Sequence, residues 1–327
     1  MSDVFTLVVL SDIHYASAAE RARGNDYESR RIRNPLLRLL LRAFRHFVWL
    51  RHPLDQNHLL DAFLQQVGPV DYVIANGDYT CDTEGVGVSD DGACQSAQEC
   101  LDKLRARWSP SFQATIGDHE LGKVSLAGSH GGMRFRSYTR TSGELKLDPV
   151  WHVELGHYVL IGVTSSLIAL PVLEPETLPE ERAAWSRARD EHLRQVCTVF
   201  SGLRSDQRVL LFCHDPTALP FLWREEVIRN RLPLVQQTIV GHLHSNLILW
   251  KSRILAGMPC IRCFGAAVRR MTSALNEARH WRAFNVRLCP ALAGIQLLND
   301  GGYLHVELPK SGGGPIKIQH RRLKVVG

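Results

Sequence analysis

Six short apolar runs recur along the chain, and five of them end in acidic or histidine residues. Phe5–Leu10 leads into SDIHY, Val70–Ala75 into NGDYT, Phe112–Ile116 into GDHEL, Arg208–Phe212 into CHDP and Thr238–Val240 into GHLHS; the sixth run is Tyr158–Val163. Short and rich in Val, Ile and Leu, the runs read as buried strands. Amphipathic segments separate them. Leu59, Leu60, Phe63, Leu64 and Val67 fall on one helical face. Ala97, Cys100, Leu101 and Leu104 fall on another, behind a capping box of Ser96 and Glu99. A third helix opens at Pro179 with two glutamates and carries a stripe of Trp185, Ala188, His192, Val196 and Val199. This alternation predicts an α/β fold, whose sites gather at the carboxyl ends of strands. Beyond Asn246 the pattern reads as strands and turns, at Leu247–Trp250, Phe284–Leu288, Gly294–Leu298 and Tyr303–Glu307.

The five strand-end loops offer Asp12, His14, Asp78, Asp118, His214, His242 and His244, with His119 and Glu120 beside them. Oxygen and imidazole donors without thiolates suit Mn²⁺, Fe²⁺ or Zn²⁺. There are enough donors for two ions that share a carboxylate, an arrangement suited to in-line attack on phosphorus. One such loop alone is weak, because a strand-end His is more often a satisfied polar residue than a ligand. Five in one chain, in this order, weigh against that reading.

In the order DxH, GD, G(N)H(D/E), H and GHxH, residues 5 to about 250 resemble the calcineurin-like metallophosphoesterase superfamily. The resemblance implies a four-layer αββα sandwich of two mixed sheets flanked by helices, and a dinuclear centre. It implies that Asp12, His14, Asp78 and His244 hold one ion, while Asp78 bridges to a second held by Asp118, His214 and His242. His119 would be the general acid, oriented by Glu120. The implied activity is hydrolysis of a phosphoester or pyrophosphate by a metal-bridging hydroxide, with two divalent ions as cofactors, Mn²⁺ first and Fe²⁺, Zn²⁺ or Mg²⁺ as alternatives. At one position the chain departs from the family: Asp118 stands where Asn is usual, adding a negative charge. Asp82 is offset from the commoner GDxxD spacing and is given no role.

The stretch between His14 and Asp78 is longer than the helix Asn57–Val67 requires, so residues 16–53 read as an insertion in a single domain spanning 1–308. Arg38, Arg42 and Arg45 share one face of it, and Leu36, Leu37, Leu40, Leu41, Phe44, Phe47, Val48 and Trp49 cover most of the rest. A basic amphipathic helix of this kind reads as a membrane-surface element or a lid over the site. A helix packed on the core with its arginines snorkelling to solvent, and a homodimer interface, are the other readings. The insertion loosely resembles that of superfamily members acting on a UDP-diacylglucosamine-like pyrophosphate, which points to an amphiphilic or lipid-linked phosphate ester.

A formal net charge of +6 favours acidic partners: phosphate esters, an anionic membrane surface or nucleic acid. A nuclease or nucleotide phosphodiesterase on the same centre is one alternative, weakened by the absence of an aromatic stacking platform. A binding scaffold that has lost catalysis is another, though it has no need of His119. Arg134 and Arg136 follow a Gly-rich loop and are candidates for substrate phosphate. Eight scattered cysteines read as reduced thiols, and the N-terminus lacks the basic start of a signal peptide. The expected location is cytoplasmic, peripheral on the inner face of the membrane if the insertion binds lipid. Leu155–Leu173 is apolar but is interrupted by polar residues and Pro171, and its first half, Tyr158–Val163, reads as a buried strand rather than part of a span. The tail 309–327 is Gly-rich, then basic, and is expected to be partly disordered.

Overall fold

Leu7 to Leu10 are all buried, because β1 (Val4–Leu10) has an apolar layer on both sides. Leu7 and Val9 meet Leu160, Leu210, Phe212 and Ile239 of a second sheet, whereas Val8 and Leu10 face helices through Leu60, Phe63 and Leu101. Period-two alternation with both faces apolar is what a strand inside a layered sandwich requires. The computed structural model describes residues 3–30, 32, 34–124, 131–261, 263 and 266–324.

Two five-stranded sheets form the inner layers. The first has the order β10-β9-β1-β2-β3, with β2 (Tyr72–Ala75), β3 (Phe112–Ala114), β9 (Tyr303–Pro309) and β10 (Lys317–Arg321). The second has the order β4-β5-β6-β7-β8, with β4 (Val150–Leu155), β5 (Tyr158–Val163), β6 (Arg208–Cys213), β7 (Val235–Val240) and β8 (Val286–Leu288). Both are mixed: β1, β2 and β3 run parallel, as do β5 to β8, and β9, β10 and β4 pair antiparallel. The longer helices are α1 (Pro35–Phe44), α2 (Asn57–Gln66), α3 (Asp91–Trp108), α4 (Phe135–Gly143), α5 (Arg182–Ser201), α6 (Asn246–Ile254) and α7 (Ala266–Glu277). This is the αββα sandwich of two mixed sheets that the sequence resemblance implies. No helix among the described residues is long and apolar enough to cross a membrane.

Several local expectations are corrected. Leu247–Trp250 lies in α6, started by Ser245, whose hydroxyl accepts from Leu247 N at 3.2 Å. Its short apolar run suits a helix or a strand equally, and the cap decides. Gly294–Leu298 forms turns. α3 begins earlier than Ser96, at Asp91, because Asp90 accepts from Ala93 N at 2.9 Å; Ser96 is interior and donates back to Gly92 O. β4 has no counterpart in the sequence reading. The tail contributes β10, paired along Glu307 to Tyr303, so its residues 317–321 form an edge strand.

The insertion also differs from expectation at its start. Ser17, Glu20 and Tyr27 are buried, and Tyr27 packs with Ala16, Leu54 and Cys81, so residues 16–30 belong to the body. The excursion begins at Asn34, whose side chain caps α1 by accepting from Leu36 N and Leu37 N. α1 runs into a π-helical turn, Arg45–Trp49, tied down by Gln296 N and Leu297 N, which donate to Trp49 O and Val48 O at 2.8 and 3.1 Å. No residue of α1 is buried. Its arginines turn to the neighbouring segment: Arg38 donates to Ile32 O and Arg42 to Ser29 Oγ, and Arg45 at the start of the π-helical turn pairs with Glu28 at 2.9 Å. Leu36, Leu37, Leu39 and Leu40 look outward, Leu36 being 64% exposed, as does Phe47 of the π-helical turn at 68%. Snorkelling arginines over a buried apolar stripe are therefore not what this helix has.

Candidate metal centre

Five strand ends converge, as expected, and their backbone is held in an unusual state. Asp12, His14, Asp78, His242 and His244 all adopt the left-handed region, with φ between 49° and 61°. Each such non-glycine residue costs on the order of 1 kcal/mol, so the surrounding structure must enforce it. Hydrogen bonds from Asp12 N to Gly77 O and from Ile13 N and His14 N to Asp78 O lock the β1 and β2 loops together. Gly77 (φ 93°) and Gly117 carry no side chain because a Cβ would strike the His214 ring and the Asp78 carboxylate respectively.

The seven expected ligands lie in one cluster. Potential ligand atoms of Asp12, His14 and His244 fall within 4.8 Å of one another, as do those of Asp118, His214 and His242, and those of Asp12, Asp78 and His214. His214 Nε2 is 3.2 Å from Asp78 Oδ2 and 3.1 Å from Asp118 Oδ1. His242 Nδ1 is 2.8 Å from Asp118 Oδ1, and His244 Nε2 is 3.3 Å from Asp12 Oδ1. Two donors about 2.1 Å from one ion and at right angles are ~3 Å apart, so these spacings are those of coordination edges. His14 Nε2 and His214 Nε2 are buried without a hydrogen-bond partner among the described residues. His214 Nδ1 faces Asn76 O at 2.5 Å, which fixes the tautomer with a lone pair on Nε2. A carbonyl holding one ring nitrogen, and an orphaned lone pair on the other, is the setting of a metal-binding imidazole.

The charges say the same. Burial pushes the Asp12 carboxyl above its usual range. Burial and the Asp118 charge also oppose ionisation of Asp78, yet the nearby His214 and His119 hold it well below the usual range. Burial opposes protonation of His214, but Asp78 and Asp118 draw its pKa well up. Asp78 and Asp118 thus draw positive charge from imidazoles, and Asp12 lies buried beside them. Divalent cations would supply that charge, and the residues fit them.

His119 lines the same cavity. Its Nδ1 is 3.1 Å from Thr80 O, and its Nε2 is 3.9 Å from Asp78 Oδ2. Burial holds its pKa down to about 3, against the pull of Asp78, so it is neutral here. The expectation that Glu120 orients His119 is corrected. Glu120 is fully buried and accepts backbone N–H bonds from Gly117, Asp78 and Tyr79 at 2.9, 3.0 and 2.7 Å. It positions the Asp78 loop, while Thr80 O meets the His119 ring. Burial and the Asp78 charge push the Glu120 pKa up to about 8 against those N–H donors.

Arg134 and Arg136 do not line the cavity. Arg134 Nη1 donates to Gly131 O and Met133 O, and Arg136 is exposed. Other residues do the lining that the sequence reading missed. Lys123, three positions beyond the GDHE motif, borders the cavity with Glu28, Val124 and Cys81. Leu41, Phe44, Arg45, Trp49 and Leu50 of the insertion form the facing wall of this space of about 350 Å³. The Trp49 ring lies 5.0 Å from that of His244. Asp215 brings Oδ2 to 4.0 Å from His242 Nε2. Asp82 is buried; it accepts from Gly87 N and Lys123 N, and burial pushes its pKa up to about 7.

No family model matches the chain, and no curated protein matches it. Solved structures do. One is a dimetal phosphatase from Danio rerio, 12% identical, covering 97% of this chain and 99% of that one, with a TM-score of 0.41. Another is a phosphopantetheinyl hydrolase from Mycobacterium tuberculosis, 16% identical over 75% of this chain and 84% of that one, TM-score 0.36. A third is a metallophosphoesterase from Sphaerobacter thermophilus, 12% identical over 98% and 89%, TM-score 0.33. The functional reading is carried by this chain's own donor cluster.

Proposed function

We propose that the chain is a two-metal phosphoester or pyrophosphate hydrolase acting on an ester with an apolar part. The observation that carries the reading is the cluster of the seven expected donors: the buried Nε2 atoms of His14 and His214 have no hydrogen-bond partner among the described residues, and His14, Asp118, His242 and His244 line one cavity. Asp12, His14, Asp78 and His244 would hold one ion, and Asp78, Asp118, His214 and His242 the other. When bound, two divalent ions supply Lewis acidity at the phosphoryl oxygens and water acidic enough to attack near neutral pH. The chain's own residues do the rest. Glu120 and the locked loops hold Asp78 in place. His119 faces the leaving-group side, and an anionic phosphoryl group beside it favours the proton it must gain before it can donate one.

The apolar wall of Leu41, Phe44, Trp49 and Leu50 supports a substrate with a hydrophobic portion. The outward face of α1 supports contact with a membrane or micelle carrying that substrate. Leu36, Leu37, Leu40, Phe44 and Phe47 form it, and Leu297 beside the π-helical turn is 65% exposed. Phe44 belongs both to this face and to the cavity wall, so an apolar path joins the two. Because the arginines are engaged internally, the leucines are the residues to change. Wild type is expected to float with anionic liposomes and a Leu36/Leu40/Phe47→Ser variant to stay behind. Equal flotation of the two rules the membrane contact out. The enzyme itself is tested by Mn²⁺-dependent hydrolysis of chromogenic monoester and diester substrates.

A further inference from the structure

Beside the donor cluster stands a second group of charges that hydrolysis at the metals does not require. Glu28 receives two cations at once, Arg45 Nη2 at 2.9 Å and Lys123 Nζ at 3.3 Å. Both cations also lie over the Tyr27 ring, at 5.8 and 5.1 Å from its centroid. Arg45 and Lys123 come from opposite sides, one from the insertion and one from the loop after the His119 motif, and meet at the cavity wall. Between them Glu28 supplies one negative charge for two positive ones. Arg45 Nη1 is shielded from solvent and has no hydrogen-bond partner among the described residues. A guanidinium nitrogen left in that state forfeits a charge-assisted bond, which is costly unless a ligand oxygen takes it.

We infer that Arg45 and Lys123 form an anion subsite that takes a second phosphate of the substrate, next to the phosphoryl group held at the donor cluster. This rests on the proposed hydrolase reading and narrows its substrate to esters with two phosphates, either linked as a pyrophosphate or separated by a short spacer. Guanidinium and ammonium groups that meet on the Glu28 carboxylate at the cavity wall suit a phosphate, which can accept from both at once. Glu28 is the internal anion that keeps the pair in place while the subsite is empty. The apolar wall then takes what lies beyond the second phosphate. Because Arg45 belongs to the insertion, occupying the subsite also ties the insertion to the body.

The test measures binding as well as turnover. A tethered bisphosphonate and phenylphosphonate are titrated into metal-loaded protein by calorimetry, for wild type, Arg45→Met, Arg45→Lys and Glu28→Gln. Arg45→Met is expected to weaken the bisphosphonate at least ten-fold more than phenylphosphonate, since one charge-assisted bond is worth about a factor of ten. Arg45→Lys restores part of the loss. Glu28→Gln acts in the opposite direction and tightens the bisphosphonate, because it removes the competing anion. Equal weakening of both ligands by Arg45→Met, or weakening of the bisphosphonate by Glu28→Gln, overturns the subsite. Absence of hydrolysis on any phosphate ester, with this pattern of binding intact, would remove the hydrolase reading and leave the subsite standing.

Discussion

His214 Nε2 lies 3.2 Å from Asp78 Oδ2, and neither residue has more than 1% of its surface exposed. His214 Nδ1 is turned to Asn76 O, so the nitrogen facing Asp78 carries the lone pair in the neutral ring. A lone pair and a carboxylate oxygen held this close repel unless a proton or a metal stands between them. The Asp118 oxygen 3.1 Å from the same nitrogen sharpens the demand. A metal satisfies all three atoms together.

Asp118 is where the chain departs from the usual Asn, and its Oδ1 also lies 2.8 Å from His242 Nδ1. Asp118→Asn removes one negative charge from a buried cluster. It is expected to weaken retention of one ion about ten-fold, in line with losing a charged ligand interaction of ~1.4 kcal/mol. With less anionic charge on the metals, the attacking water becomes more acidic and the rising limb of the pH–rate profile moves to lower pH. Metal titration and a pH profile of kcat/KM read both effects. Unchanged affinity and profile would mean that Asp118 does not ligate.

His119→Gln is expected to lower kcat by a factor of about 10² to 10⁴ while leaving metal stoichiometry intact, as for removal of a proton donor rather than a ligand. The loss should shrink on substrates with acidic leaving groups, which need no proton. Equal losses on poor and good leaving groups would contradict the assignment.

Above about pH 8, where the Glu120 carboxyl is ionised, Glu120→Gln keeps the size of the side chain but turns an amide donor toward N–H groups of Gly117, Asp78 and Tyr79 that all need acceptors. The cost to stability is expected to be about 2 kcal/mol, and metal affinity should fall with it because Asp78 loses its anchor. Chemical denaturation and metal titration of one sample test this. A fall in kcat with stability and metal content unchanged would restore a direct catalytic role.

His192 in α5 is buried, with neither ring nitrogen hydrogen-bonded among the described residues, and burial lowers its pKa from 6.5 to about 3. Between those values the unfolded chain binds the extra proton, so stability falls as pH drops from 6.5 toward 3 and is fully present above 6.5. His192→Leu removes this loss. It is expected to gain about 2 kcal/mol relative to wild type at about pH 5 and nothing from this source at about pH 8. Melting temperatures at the two pH values check it, and an equal change at both would refute it.

Much of the centre was legible in the sequence because strand ends carry it. A run such as Phe5–Leu10 followed by Asp12 and His14 states both the strand and its cargo, and seven donors placed this way meet in the fold. The insertion was less legible. Periodicity separates the arginine face of α1 from its leucine face but does not say which face meets the protein. That choice depends on Asp26, Glu28 and Ile32 O, partners supplied by a neighbouring segment. Lys123 and Glu28 were missed for the same reason, since ordinary surface residue types gain meaning only from where the loops bring them. Adjacency of Glu120 to His119 in sequence suggests contact, whereas a helical turn sends the two side chains to different neighbours. Leu247–Trp250 of α6 reads equally as a strand because a short apolar run has no period of its own.

The most direct test loads the purified protein with Mn²⁺, counts bound ions, and follows hydrolysis of a chromogenic phosphate monoester and diester, with Asp78→Asn in parallel. Two ions per chain and metal-dependent hydrolysis are expected for the wild type. The variant, which loses the carboxylate shared by both ions, should retain fewer ions and lose at least a hundred-fold in kcat/KM, about 2.7 kcal/mol of transition-state stabilisation. Full activity and undiminished metal content in Asp78→Asn would contradict the two-metal centre.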